Sequence, residues 1–202
     1  MRRDGPAIIL ASASPRRSQL LQQIGIAHDV RAVDIDETPF AGEPPAQYAL
    51  RLARDKAQAL WQRLPVAERL PVLAADTTVA LGPEILGKPV DRADAARILR
   101  RLSGVEHQVH TAVAVLHAAG ADARLCTSTV TFRPLTSAEI DAYWDTGEPA
   151  DKAGAYAVQG RAAVFIRHLS GSYSGVMGLP LYETWELLES LPDQNARDYQ
   201  AP

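Results

Sequence analysis

The 202-residue sequence lacks features that mark several large protein classes. Its single cysteine, Cys126, excludes an intramolecular disulfide and any cysteine-based zinc cluster. No apolar run reaches about 18 residues, so no transmembrane helix is predicted. The formal net charge of −3 argues against a general binder of nucleic acids or anionic membranes, since both need a basic surface. The apolar stretch from Ile8 to Ala13 is too short for a signal sequence, so we expect a cytoplasmic protein.

Patterns that define common enzyme classes are absent as well. The five histidines show no metal-ligand spacing relative to one another. The sequence contains no P-loop, no Gly-x-Gly-x-x-Gly dinucleotide motif and no serine nucleophile elbow. P-loop NTPases, Rossmann dehydrogenases and α/β-hydrolases are therefore disfavoured.

What is present indicates a folded α/β protein. Hydrophobic residues make up 47% of the chain and charged residues 22%, which is enough to bury a core. Strand and helix patterns alternate. The predicted strands are 7–12, 27–33, 71–81, 105–117, 122–132 and 162–169, and the predicted helices are 15–24, 44–64, 91–102, 136–144 and 182–191. The two long runs on either side of Ala118–Ala121 predict an antiparallel hairpin, so we expect one domain with a mixed sheet, two lobes and a central cleft. The polar tail 193–202 is expected to fray.

The first predicted strand leads into a helix through a turn that is typical of phosphate sites. Ser14 can cap the helix and Pro15 suits its first position. Arg16 and Arg17 then lie where the helix dipole disfavours cations, unless an anion is opposite them. With the hydroxyls of Ser12 and Ser14 and the free N–H groups, they predict phosphate binding. The alternative is a surface pair of arginines on an ordinary turn.

Two charged residues interrupt apolar patterns further along. Asp76 lies within the apolar run 71–81, where a carboxylate is costly unless it is paired, hydrogen-bonded or bound to a metal. It is either a functional carboxylate or a turn residue that caps the strand. Lys56 falls on the apolar stripe of helix 44–64. Its ammonium either extends to solvent or points into the cleft towards a phosphate.

Three weaker signals come from loops. Asp34, Asp36 and Glu37 form an acidic loop, which either binds Mg²⁺ together with substrate phosphates or is merely solvated. Lys88 lies in a Gly-Lys-Pro turn. Gln159 lies in a glycine-containing loop, and its amide suits the imide edge of uracil or thymine. The alternative for that loop is simple flexibility.

The motifs occur in an order that resembles one enzyme family. Along the chain they are Ser12-Ala13-Ser14-Pro15-Arg16-Arg17, Asp36-Glu37-Thr38-Pro39, Lys56-Ala57, Ala75-Asp76-Thr77-Thr78-Val79, Gly87-Lys88-Pro89, the segment 151–160 with Ala155-Tyr156 and Gln159-Gly160, and Gly178-Leu179-Pro180. This series closely resembles the Maf family of nucleoside triphosphate pyrophosphatases, from about residue 7 to residue 190. The resemblance implies a two-lobed α/β fold related to inosine triphosphate pyrophosphatases.

The resemblance also implies a reaction and a set of site residues. A divalent cation, Mg²⁺ or Mn²⁺, would assist cleavage between the α- and β-phosphates, which releases a nucleoside monophosphate and pyrophosphate. Asp76 would be the catalytic base and, with Glu37, a metal ligand. We therefore assign catalysis to Asp76, Lys56, Lys88 and Glu37, and substrate binding to Ser12, Arg16, Arg17, Thr77 and Gln159. Family members also suggest a homodimer.

Two positions distinguish branches of the family. The branch that acts on dTTP and UTP has Asp-Thr, as in Asp76-Thr77, and a Gly-Ala-Tyr-x-x-Gln loop, as in 154–159. The branch that acts on 7-methyl-GTP has Asp-Gln and a Gly-Ser-Phe-type loop. The sequence therefore predicts a dTTP and UTP pyrophosphatase. The alternatives are a pyrophosphatase for a modified purine nucleotide and a nucleotide-sensing protein of cell-division arrest.

Overall fold

The computed structural model describes residues 7–191, so the predicted frayed tail lies outside the described residues. Within them the chain forms seven strands and six α-helices. The strands are β1 Ile8–Leu10, β2 His28–Val30, β3 Val72–Leu81, β4 Glu84–Leu86, β5 Glu106–His117, β6 Gly120–Phe132 and β7 Ile166–Ser170. The helices are α1 Pro15–Gln23, α2 Pro45–Arg63, α3 Arg92–Leu102, α4 Ser137–Trp144, α5 Tyr173–Met177 and α6 Leu181–Glu189. None of the helices in this range is long and apolar enough to cross a membrane.

The strands form one mixed sheet in the order β2-β1-β3-β5-β6-β7, with β4 paired to β3. The pairs β1–β2 and β1–β3 are parallel, and the other pairs are antiparallel. The predicted hairpin is confirmed: β5 and β6 pair from Glu106 opposite Thr131 to His117 opposite Gly120. A mixed α/β sheet was expected and is found, whereas the division into two lobes stays a prediction.

One edge of β3 has a gap between two partner strands. At its start, β3 pairs with β1 only as far as Leu73, and at its end it pairs with β4 from Val79 onwards. The opposite edge pairs with β5 along almost its whole length. Among the described residues, positions 74–78 therefore have no strand beside them on this edge. A central strand of the sheet is locally open there to the space between β1 and β4.

Side chains of β3 alternate between two helical layers. Val72 and Ala74 pack with the buried face of α2. Leu73 and Ala75 pack with α1 and α6 on the other face of the sheet. This alternation directs the side chain at 76 towards α2 and the side chain at 77 towards α1.

The remaining core lies between the sheet, α3 and α4. It is centred on aromatic side chains that contact one another edge to face, among them Phe132, Tyr143, Tyr156 and Phe165. A capping box begins α4, because Thr136 and Glu139 exchange side-chain and backbone hydrogen bonds.

One sequence-based prediction needs correction, and two short elements were missed. The predicted strand 162–169 is wrong in its first half: Arg161–Phe165 forms a 3-10 helix, and only Ile166–Ser170 is a strand. The backbone N–H of Arg161 donates to the Glu148 carboxylate, a tertiary contact that apolar patterning does not reveal. The short elements β4 and α5 were not predicted at all.

Candidate active site

A cavity of about 570 Å³ opens at the gap in β3. Its walls come from the turn after β1, the loop before α2, the middle of β3, the turn after β4 and the segment 151–159. All of the residues that the sequence analysis assigned to the site line this cavity: Ser12, Arg16, Arg17, Glu37, Lys56, Asp76, Thr77, Lys88 and Gln159. The fold therefore brings together residues that are up to 147 positions apart in the sequence (159 − 12).

The turn after β1 is held differently from the prediction. Ser14 occupies the N-cap position of α1, but its hydroxyl makes no capping hydrogen bond, so that part of the prediction is wrong. Instead, the Ser12 hydroxyl accepts the Ser14 N–H at 3.1 Å and Arg17 Nη1 at 3.2 Å. Ser12 is buried, and its hydroxyl therefore fixes both the turn and one nitrogen of the Arg17 guanidinium.

Arg17 is anchored within the protein. Its Nε donates to the Gly178 carbonyl at 2.8 Å, and its Nη2 donates to the Thr77 hydroxyl at 3.4 Å. Burial lowers the pKa of the Arg17 guanidinium, and the charge of Asp76 opposes that shift. Neutral acceptors orient the group without cancelling its charge. Its charge, like that of its neighbour Arg16, is available to an anion in the cavity.

A lysine joins two carboxylates at the centre of the site. Lys56 Nζ lies 2.7 Å from Asp76 Oδ1 and 2.6 Å from Glu37 Oε1. The Lys56 side chain is 12% exposed and that of Asp76 is 10% exposed, whereas that of Glu37 is 46% exposed. Lys56 therefore points into the cavity rather than to open solvent, which settles the alternative left open by the sequence. The alternation along β3 explains the meeting, because Asp76 faces α2.

The electrostatics of Glu37 reflect this arrangement. Partial burial raises its pKa, but the hydrogen bond and charge of Lys56 lower it, and Lys88 and Arg17 add to that effect. The net result is a pKa below the ordinary value. Glu37 is thus ionised at neutral pH and adds a negative charge to the rim of the cavity.

The loop that carries Glu37 is held by α2, which the sequence analysis missed. Tyr48 Oη donates to the Glu37 carbonyl at 2.7 Å. Arg51 binds both Glu43 carboxylate oxygens at 2.7 Å, and it stacks on Phe40 with 4.1 Å between its Cζ and the ring centre. Burial, followed by the charges of Asp76 and Glu37, raises the pKa of Tyr48 to about 12. The spacing of Tyr48 and Lys56, two helical steps of four residues apart, could have indicated a shared face.

On the other face of β3, Thr77 takes part in a chain of hydroxyl groups. Thr111, opposite Thr77 on β5, lies with its Oγ1 3.1 Å from Thr77 Oγ1 and 2.7 Å from the Gly175 carbonyl. Since a hydroxyl has one proton and a carbonyl has none, Thr111 donates to Gly175 and Thr77 donates to Thr111. Thr77 then accepts from Arg17. Thr111 is buried and was missed, because the sequence does not reveal the pairing register of β3 with β5.

The opposite wall carries Lys88 and Gln159, both of them exposed. The Gly154 N–H donates to the Gly87 carbonyl at 3.0 Å, which ties the Lys88 turn to the Gln159 loop. Gly154 has a φ of +69°, and a Cβ there would lie 2.8 Å from a Val79 methyl group. The glycine is therefore required for this close approach. Lys152, an additional cation that lines the cavity, is paired with Asp151.

The donor set suits a metal ion that arrives with a substrate. No group of three or more His, Cys, Asp or Glu side chains within residues 7–191 could hold a metal ion. Asp76 and Glu37 nevertheless place two carboxylates around a single cation, the Lys56 ammonium. Mg²⁺ typically binds one or two carboxylates plus phosphate oxygens and water. These two residues therefore fit Mg²⁺ or a similar ion that is also bound by a polyphosphate.

Sequence comparisons point to one family. A family model described as "Maf-like protein" matches residues 7–191. The dTTP/UTP pyrophosphatase of Pseudoalteromonas atlantica is 50% identical over 185 residues, which cover 91% of this chain and 96% of that protein. The dTTP/UTP pyrophosphatase of Nitrosomonas europaea is 52% identical over 195 residues, which cover 92% of this chain and 94% of that protein.

A comparison of structures finds the Staphylococcus aureus Ham1 protein. The two structures have a TM-score of 0.41 and 16% sequence identity, over 62% of this chain and 70% of that chain. A similarity at this level supports no argument about function.

Proposed function

The chain belongs to the Maf family, and on that premise we propose that it hydrolyses dTTP and UTP to the nucleoside monophosphate and pyrophosphate. The similar proteins of P. atlantica and N. europaea carry that activity in their names. The observation that carries the proposal is the meeting of Asp76 with Lys56 and Arg17 in one cavity. A buried carboxylate beside cations suits the cleavage of an anionic substrate by water.

The proposed phosphate site is built from four cations. Arg17 is already oriented by neutral acceptors, and Arg16, Lys56 and Lys88 line the same cavity. Such preorganised charges neutralise the polyphosphate and the negative charge that develops on the leaving pyrophosphate. Arg17 would hold its guanidinium group in a fixed orientation, and the exposed Lys88 would adapt to the bound polyphosphate.

The proposed general base is Asp76, which would act through its Oδ2 atom. Its Oδ1 is bound by Lys56, whereas Oδ2 has only a long contact, 3.3 Å, from the Thr78 hydroxyl. Oδ2 therefore keeps a lone pair that can orient a water molecule and accept its proton. A carboxylate is a weak base, so help from a cation in activating the water is expected.

We further propose that this cation is Mg²⁺ or Mn²⁺, held by Asp76 and Glu37 together with the substrate phosphates. When bound, it would lower the pKa of the attacking water and neutralise phosphate charge. Lys56 contacts both carboxylates and would move to a phosphate oxygen as the substrate enters. Glu37, being half exposed, is the carboxylate more able to rearrange.

We assign recognition of the nucleobase to Gln159 and Thr77. A Gln amide presents a donor and an acceptor together, as the imide edge of uracil and thymine requires. Because thymine and uracil share this imide edge, one side chain that hydrogen-bonds to it accounts for activity on both dTTP and UTP. The cytoplasmic location and the homodimer remain predictions.

The test is pyrophosphate release from a panel of nucleoside triphosphates with Mg²⁺ or Mn²⁺, run beside Asp76→Asn. We expect turnover of dTTP and UTP that is lost in the variant. Asp122→Asn, the same change on the exposed end of β6, is the matched control and should keep full activity. Tight nucleotide binding without any turnover would instead indicate a nucleotide sensor. Preferred turnover of 7-methyl-GTP would indicate the other branch.

A further inference from the structure

Residues 157–161 form the turn that presents Gln159, called here the Gln159 turn. A single backbone hydrogen bond closes it, from the Gly160 N–H to the Ala157 carbonyl at 3.1 Å. Two side chains from outside hold its ends. Tyr143 Oη accepts the Ala157 N–H at 3.2 Å, and a Glu148 carboxylate oxygen accepts the Arg161 N–H at 3.0 Å.

The two outside groups are coupled to each other. Tyr143 Oη donates to Glu148 Oε1 at 2.6 Å, so one continuous chain of hydrogen bonds spans the turn. Burial, followed by the hydrogen bond to Glu148, raises the pKa of Tyr143, which keeps the hydroxyl protonated and able to donate. A short bond to a charged acceptor is among the stronger kinds of hydrogen bond. The Tyr143 hydroxyl and the Glu148 carboxylate therefore hold the turn together.

Close packing confirms how tightly the carboxylate and the turn fit. A Cβ at Gly160 would lie 2.3 Å from the Glu148 carboxylate, so no other residue fits there without displacement. The Tyr143 ring is itself fixed, since it is buried in α4 and contacts Phe165 with 5.2 Å between ring centres. The position of the Tyr143 hydroxyl is thus set by the core rather than by the turn.

We propose that Tyr143 and Glu148 are positioning residues that orient Gln159 for nucleobase recognition by fixing the Gln159 turn. Neither side chain lines the cavity, so neither touches a bound nucleotide. Their effect passes through the backbone on both sides of Gln159. This inference rests on the proposed function, in which Gln159 hydrogen-bonds to the nucleobase.

The experiment combines Tyr143→Phe with Gln159→Ala in a double-mutant cycle. Tyr143→Phe keeps the ring and its packing but removes both hydrogen bonds of the hydroxyl. KM and kcat for dTTP and UTP are measured in all four proteins, and dTTP affinity is measured by calorimetry. The matched control is Tyr182→Phe, which removes another tyrosine–glutamate hydrogen bond, from the exposed Tyr182 to Glu186 on α6.

We expect Tyr143→Phe to raise KM for dTTP about threefold to tenfold, the cost of one poorly placed hydrogen bond, and to leave kcat within about twofold. In the Gln159→Ala background the same change should leave KM unaltered, because the group that it positions is gone. Glu148→Gln should reproduce the effect, since the amide presents one acceptor in place of two. Tyr182→Phe should change neither constant.

Two results would overturn the inference. One is an equal rise in KM with and without Gln159, which would make the contributions additive. The other is a lowered Tm for Tyr143→Phe with unchanged KM and unchanged dTTP affinity, which would make the role structural only. Failure of the proposed function is a separate outcome, seen as no turnover of dTTP or UTP by the unaltered protein. Calorimetry would still test the positioning role in that case.

Discussion

Replacing Lys56 with methionine should destabilise the protein by an amount that depends on Asp76 and not on Glu37. The Lys56–Asp76 pair is buried, with side chains 12% and 10% exposed, and removal of one partner from such a pair typically costs about 3–5 kcal/mol. The Glu37 side chain is 46% exposed, and pairs of that kind contribute about 0–1 kcal/mol. We therefore expect Lys56→Met to cost about 3 kcal/mol and Glu37→Gln less than about 1 kcal/mol.

A double variant tests whether the lost stability comes from the unpaired Asp76 carboxylate. Asp76→Asn in the Lys56→Met background removes the buried carboxylate that has lost its partner. It should therefore restore about 2 kcal/mol of the lost stability instead of lowering it further.

The assay is urea unfolding at neutral pH, with the midpoint and slope fitted for each protein. Lys88→Met is the matched control, because Lys88 is an exposed lysine at the same cavity, and it should lie within about 0.5 kcal/mol of the unaltered protein. The reasoning is refuted if Lys56→Met is as stable as the control. It is also refuted if Asp76→Asn destabilises the Lys56→Met variant.

Thr111→Val should raise KM for dTTP about threefold in steady-state assays, because the Thr77 hydroxyl that accepts from Arg17 loses its own acceptor. Thr111→Ser should retain wild-type kinetics, and equal kinetics of the two variants would contradict this. The pKa of Glu139 is lowered to about 2 by Arg133 and by Thr136, so its contribution to stability is complete above its ordinary value of 4.5 and is lost as pH falls towards 2. Acid titration of unfolding should therefore show a shallower loss over that range for Glu139→Gln. Gly154→Ala should lower Tm by several degrees in a thermal melt, because of the positive φ and the close Val79 side chain, and an unchanged Tm would argue against that close approach.

Much of the secondary structure follows from local pattern. The helical spacing around Lys56 predicts α2 and its buried face, and the predicted helix 136–144 corresponds to α4. These features depend on residues within two or three turns of one another, so local sequence is sufficient. The error at 162–165 lies where a contact from outside the segment enters, because the Arg161 N–H at its start donates to the Glu148 carboxylate, 13 positions earlier.

The candidate site shows the same division. Residues such as Asp76 and Arg17 were identifiable because a charge in an apolar strand, or cations at a helix start, need a partner whatever the fold. Which residues contact one another was not identifiable. Thr111 reaches Thr77 only through the register of β5, and Gly178 meets Arg17 across 161 positions of sequence.

By itself, the sequence indicated which side chains to place in the candidate site and on which kind of element each lies, because both inferences depend on short-range patterns of charge and hydrophobicity. Only the tertiary structure decided how they meet. The gap in β3 between β1 and β4 opens both faces of one strand to a single cavity, so Asp76 meets Lys56 on one side and Thr77 meets Arg17 on the other. That gap results from the lengths and pairing of three strands distant in sequence. Long-range pairing of this kind leaves no mark in the local pattern of any one of them.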